Sequence, residues 1–205
     1  MYLPPQFAAK DPAIALELMR SHPFASLISV DADGLPFVTQ LPLHLEEAGD
    51  QLRLLGHVAR PNPHSGYLRE RPLALVTFQG PHAYMTPRVY PDLTRVPTWN
   101  YLAVHATVEA RLIEHFDDKD RLIKHLIHDH DPAYAAQWRG LGEEYQQKMM
   151  QGITAFELTV TSLQCKVKLN QHRPESHSAM AQMYASGQPD EQALAAWMRR
   201  LGMAA

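Results

Sequence analysis

Four short runs hold the side chains with the most chemical potential. In Gly56-His57-Val58-Ala59-Arg60-Pro61-Asn62-Pro63-His64, an arginine stands two residues before an Asn-Pro pair. Asn62 is a capping type and Pro63 suits a first helical position, so the run predicts a strand end leading into a short helix. A helix N-terminus beside an arginine makes an anion site, and the alternative is a strand-to-helix turn with an incidental arginine. In Gln79-Gly80-Pro81-His82-Ala83-Tyr84-Met85-Thr86-Pro87, Gly80 and Pro81 predict a tight corner between two strands. Gly80 there lets a second backbone or a ring approach closely. In Val96-Pro97-Thr98-Trp99-Asn100-Tyr101, two aromatics flank an amide. That suits a ligand pocket or a subunit interface, and equally ordinary core packing for Trp99. Lys168-Leu169-Asn170-Gln171-His172-Arg173 has no apolar stripe. It could deliver Lys168 and Arg173 to an anion, or serve as a solvated linker.

Other chemistries lack their residues. The twelve histidines raise a metal site, with His125, His128 and His130 near Asp129 and Asp131. Helical zinc pairs are usually spaced i, i+4 with a further ligand, whereas His125 and His128 are i, i+3 and His128 and His130 point apart, so no metal is expected. Cationic histidines near a helix C-terminus already account for them. The chain has no G-x-S-x-G, no P-loop, no G-x-G-x-x-G and no H-E-x-x-H, and no carboxylate pair forms an acid/base couple. Cys165 is the single cysteine, which excludes an internal disulfide. The net charge of -3 does not suit a nonspecific nucleic-acid binder. No apolar run approaches the ~20 residues of a membrane span. The N-terminus has no signal-peptide pattern, and a cytoplasmic, non-membrane setting is expected.

These runs must be positioned by a scaffold that the remaining sequence describes. The 205 residues, 45% hydrophobic and 20% charged, are enough for one globular core. Prolines crowd the first half, which favours short strands and turns over a long helix. Asp11-Pro12 opens a helix to about Ser21. Strands are expected at 24–30, 37–45, 52–58 and 73–79, with a hairpin turn at Asp31–Gly34. Residues 102–112 alternate apolar and polar in one long strand, a helix covers 117–130, and a last strand starts at Phe156. Two helices, about 175–186 and 190–201, close the chain. The single-sided alternation predicts a mainly β protein with added helices, an antiparallel barrel with helices packed outside. Residues 1–170 would form the barrel domain and 171–205 a helical extension of it.

Taken in order, MYLPPQF, GHVARPNP, TFQGPHAYMTP, VPTWNYLAVHA and KLNQHRPE resemble the PaiB family of FMN-binding negative transcriptional regulators. The resemblance extends from Met1 to about Met183. It implies an FMN-binding split β-barrel, similar to pyridoxamine-phosphate oxidases and flavin reductases, assembled as a homodimer with flavin at the subunit interface. On that resemblance, Thr39, Gln40, Leu41 and Pro42 line the flavin ring, and Gly56, His57, Arg60 and Asn62 hold its phosphate. Gln79, Trp99 and Asn100 close the ring end, from the second subunit if the site is shared. Lys168, Asn170, Gln171 and Arg173 fold back over it. Two departures stand out. His172 occupies a position where the family carries an amide, and Thr86-Pro87-Arg88-Val89-Tyr90 lacks the family's tryptophan. The implied function is FMN-dependent negative regulation of transcription, with DNA as a partner by resemblance only and enzymatic activity left open. The helix at 117–130 is acidic at both ends, a poor surface for phosphates. A flavin-dependent oxidoreductase or flavin reductase on the same fold is the alternative, and a haem-binding protein a weaker one.

Overall fold

The computed structural model describes residues 1–92 and 94–204. Its elements run α1 (Pro12–Ser21), β1 (Phe24–Val30), β2 (Pro36–Pro42), β3 (His44–Ala48), β4 (Gln51–Ala59), α2 (His64–Glu70), β5 (Leu73–Met85), β6 (Thr98–Ile113), α3 (Phe116–His130), α4 (Ala135–Gly140), α5 (Glu143–Gln151), β7 (Ile153–Lys168), α6 (His177–Ala185) and α7 (Pro189–Arg200). The seven strands form one antiparallel sheet in the order β2-β1-β5-β6-β7-β4-β3. Its outermost strands, β2 and β3, are consecutive in the chain and separated by Leu43 alone. A sheet whose two edges are joined in this way has closed through the chain rather than through hydrogen bonds, which is the expected split barrel.

That closure corrects the single strand expected over 37–45. Phe37, Thr39, Leu41, Leu43 and Leu45 do share the inward face, and the three leucines are buried. The pairing partner changes midway: β2 pairs with β1 and β3 with β4. The two strands expected to meet at Gly80-Pro81 are one continuous strand, β5, whose buried face changes phase there, from Ala74, Val76, Phe78 and Gly80 to Pro81, Ala83 and Met85. A Cβ on Gly80 would lie 2.6 Å from Leu18 Cδ1 and 3.1 Å from the Leu102 carbonyl, so glycine is needed there for close packing. The expected turn is present: Gly34 has φ +84, and the Asp31 carboxylate accepts from the Asp33 and Leu35 amides. Helices α4 and α5 are too short and polar to have stood out in the sequence.

The chain divides into two compact units. One comprises residues 19–78 and 105–163. Leu55, Ile113, Leu122, Leu126 and Ala155 form a cluster in its core, where α3 packs on the sheet. The other comprises residues 1–18, 79–104 and 164–205, so the C-terminal helices are grouped with α1 and with parts of β5, β6 and β7. Leu18, Met85, Leu102, Leu169, Met180, Tyr184 and Leu194 are buried in it.

Candidate functional site

In the first unit, β2 and the β4–α2 connection bring Thr39, Asn62 and His64 together. The Asn62 side chain donates to Thr39 Oγ1 at 3.3 Å and accepts from the His64 amide at 3.0 Å. The expected helix starts one residue later than read, at His64 with Pro63 at the N-cap, so the second bond is made from the residue before the cap. His64 Nδ1 lies 2.9 Å from the same threonine oxygen, and Phe37 meets the imidazole edge-on. His64 is fully buried, and its Nε2 has no partner among the described residues. Burial pushes its pKa down to about 4, so the ring is neutral near pH 7. Half-buried His57, on β4, has an unpartnered buried Nδ1 and is likewise pushed down by burial. Two imidazole nitrogens without partners thus sit within the 56–64 run. His64 closes that run, but nothing in its spacing marked it as a site residue.

The other expected residues of this unit divide by face. Thr39 and Leu41 point inward with Leu27 and Ala25 opposite them, while Gln40 and Pro42 face outward. Gln40 is exposed, with its amide 3.5 Å from Ser26 Oγ. A Cβ on Gly56 would lie 2.5 Å from Leu43 Cδ2 and 3.2 Å from Phe156, so this glycine serves core packing. Arg60 is exposed, and its backbone amide donates to the Gly152 carbonyl at 2.8 Å. Arg60 stands four residues before α2, which has only seven residues.

The second unit holds Gln79, Trp99, Asn100, Lys168, Gln171 and Arg173. Trp99 is 53% exposed, with Tyr84 edge-on at 6.2 Å, and Gln79 is exposed. Asn100 is fully buried, and its amide donates to the Tyr184 hydroxyl and Met180 sulfur, tying β6 to α6. Lys168 donates to Thr98 Oγ1 at 2.5 Å and the Trp99 carbonyl at 2.6 Å. Burial first, and then Lys166, lowers its pKa. The Gln171 amide is held by its own loop, donating to the Val167 carbonyl and accepting from the Leu169 amide. Arg173 is exposed at a cleft of about 280 Å³ that Arg95, Lys168, Asn170 and His172 also line. Asn170, buried and at φ +63, donates to the Tyr90 hydroxyl and Ser176 Oγ at 2.8 Å each.

The polar groups of the first unit include two neutral imidazoles, a hydroxyl, an amide and a guanidinium that forms no ion pair among the described residues. The imidazole nitrogens suit a ligand with polar ring edges, and the guanidinium, which lines clefts with Glu114 and Lys119, suits an anionic group. Among the described residues, no group of three or more His, Cys, Asp or Glu side chains is arranged to hold a metal. None of the described helices is long and apolar enough to cross a membrane.

Residues 1–162 match the family described as "Putative FMN-binding domain". The protease synthase and sporulation protein PAI 2 of Bacillus subtilis is 30% identical over 184 residues, covering 86% of this chain and 84% of that protein. A protein of Emericella nidulans is 27% identical over 214 residues, covering 83% and 84%. Among solved structures, a flavocytochrome of Azotobacter vinelandii superposes with a TM-score of 0.63 at 18% identity, covering 80% of this chain and 70% of that one. An FAD- and haem-binding protein of Mycobacterium smegmatis does so at 0.58 and 19% identity, covering 88% and 80%. At these identities the likeness establishes the fold and leaves function to the site.

Proposed function

This chain belongs to the "Putative FMN-binding domain" family that its first 162 residues match, and on that premise we propose that it is a homodimeric FMN-binding regulator of transcription. The observation that carries the flavin half is the two buried imidazole nitrogens without partners among the described residues, His57 Nδ1 and His64 Nε2, which lie inside the matched region. Arg60 would hold the phosphate, since a charge-assisted guanidinium–phosphate pair can be bidentate. Thr39, Asn62, His57 and His64 would orient the ring system. The flavin, when bound, supplies the redox or sensing chemistry, and the protein supplies position and exclusion of water. The regulatory half rests on the resemblance to negative transcriptional regulators and on the relationship to PAI 2.

A dimer is supported by the outward face of β2, β1 and β5. Phe24, Ser26, Ile28 and Val30 lie beside Pro42, Gln40, Val38 and Pro36, with Thr77 and Leu75 beyond. No charged side chain interrupts this face, and Phe24 and Leu73 are 65% and 66% exposed. Uncharged exposed patches of this kind mark interfaces. Light scattering should give twice the chain mass, and Val38→Asp should give the monomer.

The absorbance spectrum of the purified protein, followed by titration with FMN and riboflavin, tests the flavin reading. Flavin maxima and tighter binding of FMN than of riboflavin are expected. A haem Soret band, or no binding of either flavin, would overturn it. Rapid NAD(P)H oxidation by the FMN-loaded protein would favour an oxidoreductase over a sensor.

A further inference from the structure

Arg60 lines two adjoining clefts of about 300 and 270 Å³, and Glu114 and Lys119 line both of them with it. Lys119, in the first turns of α3, is only 9% exposed. Its ammonium donates to the Met150 and Ile153 carbonyls, each at a long 3.4 Å. Among the described residues it forms no ion pair. The acid on the rim, Glu114, is exposed and lies 3.5 Å from Arg69. Among the described residues lining these clefts, Arg60, Arg69 and Lys119 accompany one carboxylate, Glu114. A buried cation without a counter-charge is costly, and it persists where an anion completes it. Burial, and then the neighbouring Arg60, push the Lys119 pKa down, and Glu114 only partly opposes them.

We propose that Lys119 is the second cation of an anion subsite shared with Arg60, and that this subsite takes a phosphate monoester. Two cations on one rim match a ligand of about -1.5 to -2 charge at pH 7. The ammonium comes from α3, outside the motif that carries Arg60, so the subsite joins the β4–α2 connection to the helical insertion. Assigning the phosphate to a flavin rests on the function proposed above, whereas the anion subsite does not.

The test uses inorganic phosphate on the full chain, with chloride of equal ionic strength as reference. Phosphate should raise the thermal unfolding midpoint of the wild type and of Lys119→Arg, and leave those of Lys119→Met and Arg60→Ala unmoved. In chloride, Lys119→Met should be at least as stable as wild type, because an apolar isostere removes an uncompensated charge. FMN affinity should fall about ten-fold or more in Lys119→Met, with riboflavin affinity unchanged. Equal phosphate protection of wild type and Lys119→Met would overturn the inference. So would a loss of stability in chloride, which would make Lys119 a structural tie to the two carbonyls. If phosphate protects through both residues and FMN does not bind, the subsite stands and the flavin reading fails. If FMN binds wild type and Lys119→Met alike, the flavin reading stands and the role of Lys119 falls.

Discussion

Two polar regions of this protein are built on opposite principles. In the loop after β7, the polar groups are consumed internally. Asn170 reaches Tyr90 and Ser176, Ser176 Oγ donates to the Arg173 carbonyl at 2.8 Å, and His177 Nε2 lies 3.0 Å from the Asn170 carbonyl. Gln171 and Lys168 are spent in the same way. In the run from His57 to His64, two imidazole nitrogens have no partner, and Arg60 forms no ion pair among the described residues. Buried polar groups are normally satisfied, and each one left unsatisfied is costly. The contrast supports the proposal that the second region holds the ligand and the first holds shape, even though both read as polar, basic motifs in sequence.

The largest expected effect sharpens the structural side. Asn170→Ala removes the amide that donates to the Tyr90 hydroxyl and to Ser176 Oγ, leaves Ser176 only its bond to the Arg173 carbonyl, and places alanine at φ +63. It should cost roughly 2–4 kcal/mol in urea denaturation. Asn170→Gly removes the strain and should recover about 1–2 kcal/mol of that. Equal losses would mean that the left-handed backbone is not part of the cost.

A pH series addresses the ligand side. Burial lowers the His64 pKa from 6.5 to about 4, so the unfolded chain binds a proton that the folded protein refuses between those values. Its contribution is fully present above about pH 6.5 and is lost as pH falls towards 4. The difference corresponds to roughly 2–4 kcal/mol. Wild-type stability should drop by about that much more than His64→Leu stability between pH 7 and pH 4. Identical profiles would mean that His64 is solvated, which would break its contrast with the loop.

Arg60→Ala should weaken FMN binding by roughly 10- to 150-fold, the equivalent of about 1.5–3 kcal/mol, and leave riboflavin binding almost unchanged. Equal losses for both ligands would make Arg60 a scaffold residue. The smallest effect is expected for Gln171→Ala, a stability loss of about 0.5–1.5 kcal/mol with FMN affinity nearly unaltered. A large affinity loss there would return this loop to the ligand.

The scaffold was largely legible because its signals are local. Alternation along β6 and the turn at Gly34 are written in single segments. The break at Leu43 was not, since Leu41, Leu43 and Leu45 keep one inward phase while the hydrogen-bonding partner changes from β1 to β4. Gly80 announced close packing but not its direction, because a glycine before a proline also suits a corner. Arg60 and Asn62 were visible in one run. His64 reads as an ordinary helix residue until burial strips Nε2 of partners, and Lys119 reads as one more surface charge among Asp117, Asp118 and Asp120. Tertiary neighbours alone distinguish these two.

The most direct test of the central contrast is a histidine side-chain ¹⁵N–¹H correlation spectrum recorded with and without FMN. The imidazole nitrogens of His57 and His64 should shift on binding, and those of His177, already held by the Asn170 carbonyl, should not. Shifts at His177 with His57 and His64 unmoved would contradict the account.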